Sequence, residues 1–106
     1  MKKIVISDQY TKTPGGRSKQ DGAFSGEDFR EKLLEENFIE AIQKKEKLLI
    51  DFDGGYGYPI SFLEEAFGGL ARKYGADQVL KTLVFISNDE PGLIKEVEGY
   101  IKDTKK

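Results

Sequence analysis

The sequence predicts a small α/β domain with a mainly parallel or mixed sheet and helices packed against it, in the order β-α-β-α-β-α. Three observations carry that prediction. Short apolar runs occur at Ile4 to Ile6, Leu48 to Phe52 and Leu83 to Ile86, each of strand length. The stretches between them repeat apolar residues at helical spacing. Each run is followed by Gly, Pro, Ser or Asp, which is loop chemistry. Strands alternating with helices imply parallel pairing and right-handed crossovers.

Composition bounds the function. The chain has 106 residues, the size of one domain, so a single domain over 1–106 is expected. Hydrophobic residues make up 38% and charged residues 34%, and seven Phe with five Tyr supply enough apolar area for one modest core. Net charge is −2 with seventeen basic residues spread along the chain, which argues against nucleic acid as the main partner. With no Cys and no His, thiolate metal sites, cysteine nucleophiles and His-dependent triads are excluded. No cofactor or metal is expected. The N-terminal MKKIVISDQY carries neither a signal-peptide core nor a membrane span, so a cytoplasmic protein is the expectation.

Taken in order, Ile4 to Ile6 reads as a first strand, central or covered on both faces. Thr11 to Gly26 reads as a long loop with Gly15 and Gly16 beside Arg17, a cation placed to meet a phosphate or carboxylate. Ser25 with Glu27 and Asp28 marks a helix start. The apolar phase set by Phe29, Leu33 and Leu34 slips after Glu36, which predicts two helical pieces with a bend, the second capped by Asn37 and Glu40. Leu48 to Phe52 reads as a buried strand in mid-sheet. A helical turn over Asp77 to Lys81 precedes the third strand, and a last helix starts at Asp89 or Glu90 beside Pro91, with Leu93, Ile94, Val97, Tyr100 and Ile101 at helical spacing.

This topology sends three loops from the carboxyl ends of the strands: Pro14 to Gly26, Asp53 to Ile60, and Ser87 to Pro91. Asp51, Asp53, Ser61, Ser87, Asn88, Asp89 and Arg17 are therefore candidates to converge. Between the second and third loops lies the segment around which the chain is organised, with Gly54, Gly55 and Gly57 in a glycine-rich turn and then an amphipathic helix. Ser61 with Glu64 has the form of a capping box, and a phosphorylatable Ser at a helix start has the same form. Phe62, Leu63, Ala66, Phe67, Leu70 and Tyr74 give that helix its apolar face. Gly68 and Gly69 each cost about 1 kcal/mol relative to Ala inside a helix. Either a partner or neighbouring helix approaches closely there, or the helix ends at Gly68.

The segments PGGR at Pro14 to Arg17, DGAFSGEDFREKLL at Asp21 to Leu34, LLIDFDG at Leu48 to Gly54 and SFLEEAFGGLAR at Ser61 to Arg72 resemble the STAS-like domains of unknown function. These are small bacterial domains related in fold to anti-sigma-factor antagonists. The resemblance implies a regulatory, non-catalytic module that docks a protein partner such as a histidine-kinase-like ATPase. The docking residues would be Glu64, Glu65, Gly68, Gly69 and Arg72. In classical antagonists the loop before this helix carries Asp-Ser-Ser-Gly and a Ser there is phosphorylated. Here Pro59-Ile60-Ser61-Phe62 stands in its place, so Ser61 is the switch candidate without the flanking motif.

LLIDFDGG with the later LVFISND also resembles the first two motifs of haloacid-dehalogenase-type phosphatases. That resemblance implies an Mg-dependent phosphatase with Asp51 as nucleophile, Asp53 as acid/base and Ser87 following the second strand. The later lysine and paired acidic motifs of that family have no counterpart. A third alternative is a small-anion or nucleotide site at Gly15, Gly16, Arg17, Gly54, Gly55 and Gly57.

Overall fold

The computed structural model describes residues 1–105. Its centre is a sheet of three parallel strands, β1 (Lys2–Val5), β2 (Leu48–Asp51) and β3 (Leu83–Ile86), in the order β1-β2-β3. The register pairs Lys2 with Leu48 and Leu48 with Leu83, and continues in step to Val5, Asp51 and Ile86. β2 lies in mid-sheet, as expected of the most apolar run.

The helices are α1 (Ile6–Gln9), α2 (residues 26–43), α3 (residues 60–74), α4 (Ala76–Thr82) and α5 (Leu93–Lys102). β1 begins and ends earlier than its apolar run suggests. Ile6 already opens α1, because its carbonyl accepts the N–H groups of both Tyr10 and Thr11. Likewise α5 starts at Leu93 rather than at Asp89 or Glu90, since Pro91 and Gly92 complete a turn in which the Leu93 N–H donates to the Glu90 carbonyl.

The predicted bend in the second segment is instead one continuous helix with a π-turn. α2 runs as Gly26–Phe29, then a wide turn over Arg30–Leu34, then Glu35–Gln43. The buried side chains are Phe29, Leu34, Phe38 and Ala41, and the first step, five residues long, is what a π-turn supplies. Asn37 caps nothing; its amide donates to the Leu33 carbonyl within the helix. α3 has the same construction, with a π-turn over Glu64–Gly68 between Ile60–Leu63 and Gly69–Tyr74. The helix therefore does not end at Gly68.

The core fills the space between these helices and one face of the sheet. Ile4, Leu48 and Ile50 meet Phe29, Phe38, Phe62 and Phe67, all fully buried. Phe67 is the hub, with ring centroids 6.2 Å from Phe29, 5.7 Å from Phe52 and 5.7 Å from Phe85. Val97 and Ile101 of α5 and Val79 of α4 complete the layer.

The other face of the sheet is open and β1 lies at an edge, which corrects the reading of the first strand as central or covered on both faces. Side chains alternate along a strand, so Lys3 and Val5, Leu49 and Asp51, Val84 and Ile86 share that face. Lys3 is exposed, Val84 is 37% exposed, and the rest are half-buried. The strand order explains this: two successive right-handed crossovers in one direction put both helical layers on the same side. Among the described residues no helix is long and apolar enough to cross a membrane.

Candidate functional site

The three strand-end loops are braced against one another and against α3, by two separate sets of polar contacts. The first is a carboxylate knot. Asp53 accepts the Asp89 N–H at 2.9 Å and the Asn88 amide at 3.0 Å, while Asp89 in turn accepts the Gly54 N–H at 3.0 Å. The Ser7 hydroxyl donates to the Asp53 carbonyl, the Asp53 N–H donates to Asp51, and the Ser87 hydroxyl donates to the Glu90 carbonyl. Gly54 has φ +89°, and an added Cβ would stand 2.8 Å from the Ser7 hydroxyl oxygen, so the knot needs glycine there. The Asp89 N–H, helped by the Asn88 amide, holds the Asp53 carboxyl below its ordinary range.

This arrangement bears directly on the phosphatase motif. Asp51, Asp53, Ser87, Asn88 and Asp89 do come together, but as acceptors and donors that close turns. Both Asp53 oxygens are occupied by the β3 loop, and one Asp51 oxygen by the Asp53 backbone. Among the described residues no group of three or more His, Cys, Asp or Glu side chains is arranged to hold a metal ion.

The second set is an ionic clamp. Arg17 does not reach the strand-end carboxylates; its guanidinium pairs with Glu64 and, at 3.5 Å, Glu65 on α3. The carboxylate it meets is thus the chain's own. Arg72 pairs with the other Glu64 oxygen at 2.6 Å, and Arg30 of α2 pairs with Glu65 at 2.7 Å and Glu35 at 3.1 Å. Lys73 closes the series on Glu35 at 2.7 Å. The Arg72 and Arg17 cations hold the Glu64 carboxyl below its ordinary range against a smaller effect of burial. Single exposed pairs contribute about 0–1 kcal/mol, so the clamp acts as a network joining one loop and two helices rather than as a large stabiliser.

Gly68 and Gly69 lie buried beneath this clamp. A Cβ on Gly69 would stand 2.8 Å from Arg30 Nε, and one on Gly68 2.6 Å from a Glu64 oxygen. The neighbour that approaches Gly69 is the chain's own α2, through Arg30, while Gly68 lies under the Glu64 and Arg72 side chains of its own helix. The two π-turns carry Arg30 and Glu65 respectively, so each widened turn contributes one half of the same ion pair.

Ser61 is not the helix cap. Pro59 occupies the N-cap position of α3, no side chain caps it, and Ser61 is the second helical residue, half-buried. Glu64 is committed to the arginines, which removes the other half of the capping box. Ser25, by contrast, caps α2 as expected, its hydroxyl accepting the Asp28 N–H at 3.0 Å.

Gly15 and Gly16 stitch the long loop to α2: the Gly15 N–H donates to the Phe24 carbonyl and the Gly26 N–H to the Gly16 carbonyl. Gly55 sits under the Tyr58 hydroxyl, and Gly57 takes φ +136°. Around them are large apolar side chains that face solvent: Tyr56 is 79% exposed, Ile60 64% and Phe24 42%. Tyr56 and Tyr58 line a hollow of about 470 Å³ with Pro14 and Pro59. The Tyr56 N–H donates to the Lys12 carbonyl and the Tyr58 hydroxyl to the Phe52 carbonyl, so this exposed tip is anchored. Burial, with the nearby charges of Asp51, Asp53 and Asp89, pushes the Tyr58 hydroxyl up to about 12.

Sequence reasoning missed Tyr56, Ile60 and Arg30. The first two were legible as large apolar residues inside a glycine loop, where no core position was on offer. Gly26 was also missed, although an added Cβ would stand 2.4 Å from the Phe62 carbonyl oxygen, making it the point where α2 and α3 touch backbone to backbone.

Comparison with known proteins places this architecture. No curated protein and no solved structure gives a significant match. A family model described as a STAS-like domain of unknown function matches residues 25–93, from the Ser25 cap through both π-turned helices and β3 to Leu93. The chain belongs to the family of STAS-like domains of unknown function.

Proposed function

We propose that the protein is a non-catalytic regulatory module that docks a protein partner through the loop tip and the start of α3. The carrying observation is that Tyr56, on the glycine loop, and Ile60, the first residue of α3, project into solvent from a frame braced by the carboxylate knot and the ionic clamp. Large apolar side chains held rigidly in water are the chemistry of an interaction hot spot. Ser61 adjoins Ile60 at the border of this tip, and Glu64, Glu65 and Arg72 follow along the same helix. Gly68 and Gly69 serve the surface indirectly, Gly69 by admitting Arg30 beneath it and Gly68 by leaving room for the Glu64 and Arg72 side chains. In this reading the partner is a histidine-kinase-like ATPase, a choice that rests on the family's resemblance to anti-sigma-factor antagonists.

Phosphorylation of Ser61 would be the switch. A phosphoryl group at the second residue of α3 would be favoured by the helix dipole. It would stand one turn from Glu64 and Glu65 and compete with them for Arg17, loosening the loop that presents the tip.

Capture from the native host with wild type and Tyr56→Ala identifies the partner, and titration with the purified partner then tests the surface. Tyr56→Ala and Ile60→Ser are each expected to weaken binding by roughly tenfold or more. Ser61→Asp is expected to change affinity relative to Ser61→Ala. Affinities unmoved by both the Tyr56 and Ile60 substitutions would place docking elsewhere, and identical affinities for the two Ser61 variants would remove the switch.

A further inference from the structure

The loop ends beside Tyr56 carry negative charge that the chain leaves unneutralised. On α2 and α3, Glu35, Glu64 and Glu65 are each matched by arginine or lysine. Asp89 and Glu90 meet no cation within ion-pair distance among the described residues, and both line a hollow of about 200 Å³. Its walls are aromatic. Phe52 and Tyr58 form a corner, their planes at 78° and their ring centroids 5.2 Å apart, and the exposed Tyr56 borders the opening. Gly55 leaves the Tyr58 ring its place, since an added Cβ would stand 2.9 Å from the hydroxyl oxygen.

The polar side chains on these walls have already spent their protons. The Ser87 hydroxyl, on a residue only 7% exposed, donates to the Glu90 carbonyl, and the Tyr58 hydroxyl donates to the Phe52 carbonyl. One Asp89 oxygen accepts the Gly54 N–H. The other, and both carboxylate oxygens of Glu90, have no partner among the described residues. The lining side chains therefore offer acceptors and aromatic faces, and no free donor.

We infer that this hollow holds an arginine side chain of the docked partner, an inference that rests on the docking surface proposed above. A guanidinium brings what the walls lack: a positive charge, N–H donors in a planar fork, and a flat face that stacks on an aromatic ring. The size agrees, since pockets that enclose a whole small ligand run to about 300–1,000 Å³ and this one is smaller. An anion is opposed by the charges of Asp51, Asp53 and Asp89, which, after burial, push the Tyr58 hydroxyl up. A metal ion is disfavoured because no three carboxylates are arranged to hold one among the described residues.

Titration of the isotope-labelled protein with Nα-acetyl-arginine amide, followed by NMR at constant ionic strength, tests the hollow without any partner protein. Saturable shifts at the Gly55, Gly57 and Ser87 amides are expected, with a dissociation constant on the order of 10 mM for so small a probe. The citrulline amide, an uncharged isostere, should bind roughly tenfold more weakly or worse. The lysine amide should bind severalfold more weakly than the arginine amide. Glu90→Gln and Tyr56→Leu should each weaken the arginine amide severalfold; Glu90 is exposed and its carboxylate braces nothing among the described residues, so the first variant keeps the fold. No saturable shift, or equal binding of the citrulline amide, overturns the proposal. Binding that both variants leave unchanged overturns it as well, by placing the cation elsewhere, and a lysine amide that binds as tightly overturns the choice of guanidinium. The two readings fail separately. Lost amide binding, with partner affinity still sensitive to Tyr56→Ala and Ile60→Ser, removes the arginine site and keeps the docking surface. Amide binding with a partner insensitive to both removes the docking surface, and with it the assignment of the arginine to a docked partner.

Discussion

The two faces of the β-sheet are built from nearly the same residue types and have opposite fates. On one, Ile4, Leu48 and Ile50 are sealed beneath fully buried phenylalanines; on the other, Leu49 of β2 and Val84 of β3 reach solvent. Nothing in LLID distinguishes Leu48 from Leu49. The difference is made by the order of the strands, which sends both crossovers to one side. Aliphatic content thus signals that a strand is capable of burial, and connectivity decides which side receives it. Stability should be concentrated in one layer, and the open face should be nearly neutral to substitution in the monomer.

Three substitutions can break or sharpen that contrast, each measured by urea unfolding at low protein concentration. Phe67→Ala removes the hub of the covered face, and the expected loss is about 3–5 kcal/mol; a loss below about 1.5 kcal/mol would mean that the layer is far less tightly packed than its buried rings suggest. Gly26→Ala forces a Cβ against the Phe62 carbonyl oxygen where the covering helices touch, and should cost about 2 kcal/mol despite its better helix propensity. Stabilisation instead would show that the contact between α2 and α3 is soft. On the open face, Val84→Thr should change stability by no more than about 0.5 kcal/mol. A loss above about 1.5 kcal/mol would show that this side is covered even in the monomer.

Much of the fold was legible, for stated reasons. Each of the three apolar runs overlaps a strand, Ser25 caps α2, and Phe62, Leu63, Ala66, Phe67 and Leu70 of α3 are buried, because periodicity and capping are local properties of a sequence. The π-turns were not legible. A five-residue step from Phe29 to Leu34 looks like the end of one amphipathic stripe and the start of another, and only the packing of α2 against α3 shows that the helix widened instead of bending. Ser61 misled for a related reason. Its spacing to Glu64 is that of a capping box, but Arg17, distant in sequence, claims the glutamate. The convergence of Asp51, Asp53, Ser87, Asn88 and Asp89 followed from topology alone. Their service as a knot depends on Asp89 and Gly54 facing each other across two loops, which spacing cannot reveal.

The paired π-turns mark where this chain can change its length. A widened turn holds one residue more than an α-helical turn, so removing one residue from Arg30–Leu34 would leave an ordinary α-helical turn, with Phe38 and Ala41 still on the core side of α2. The same holds for Glu64–Gly68, ahead of Leu70 and Ala71. A deletion elsewhere in either helix would instead rotate everything after it by about 100° about the helix axis.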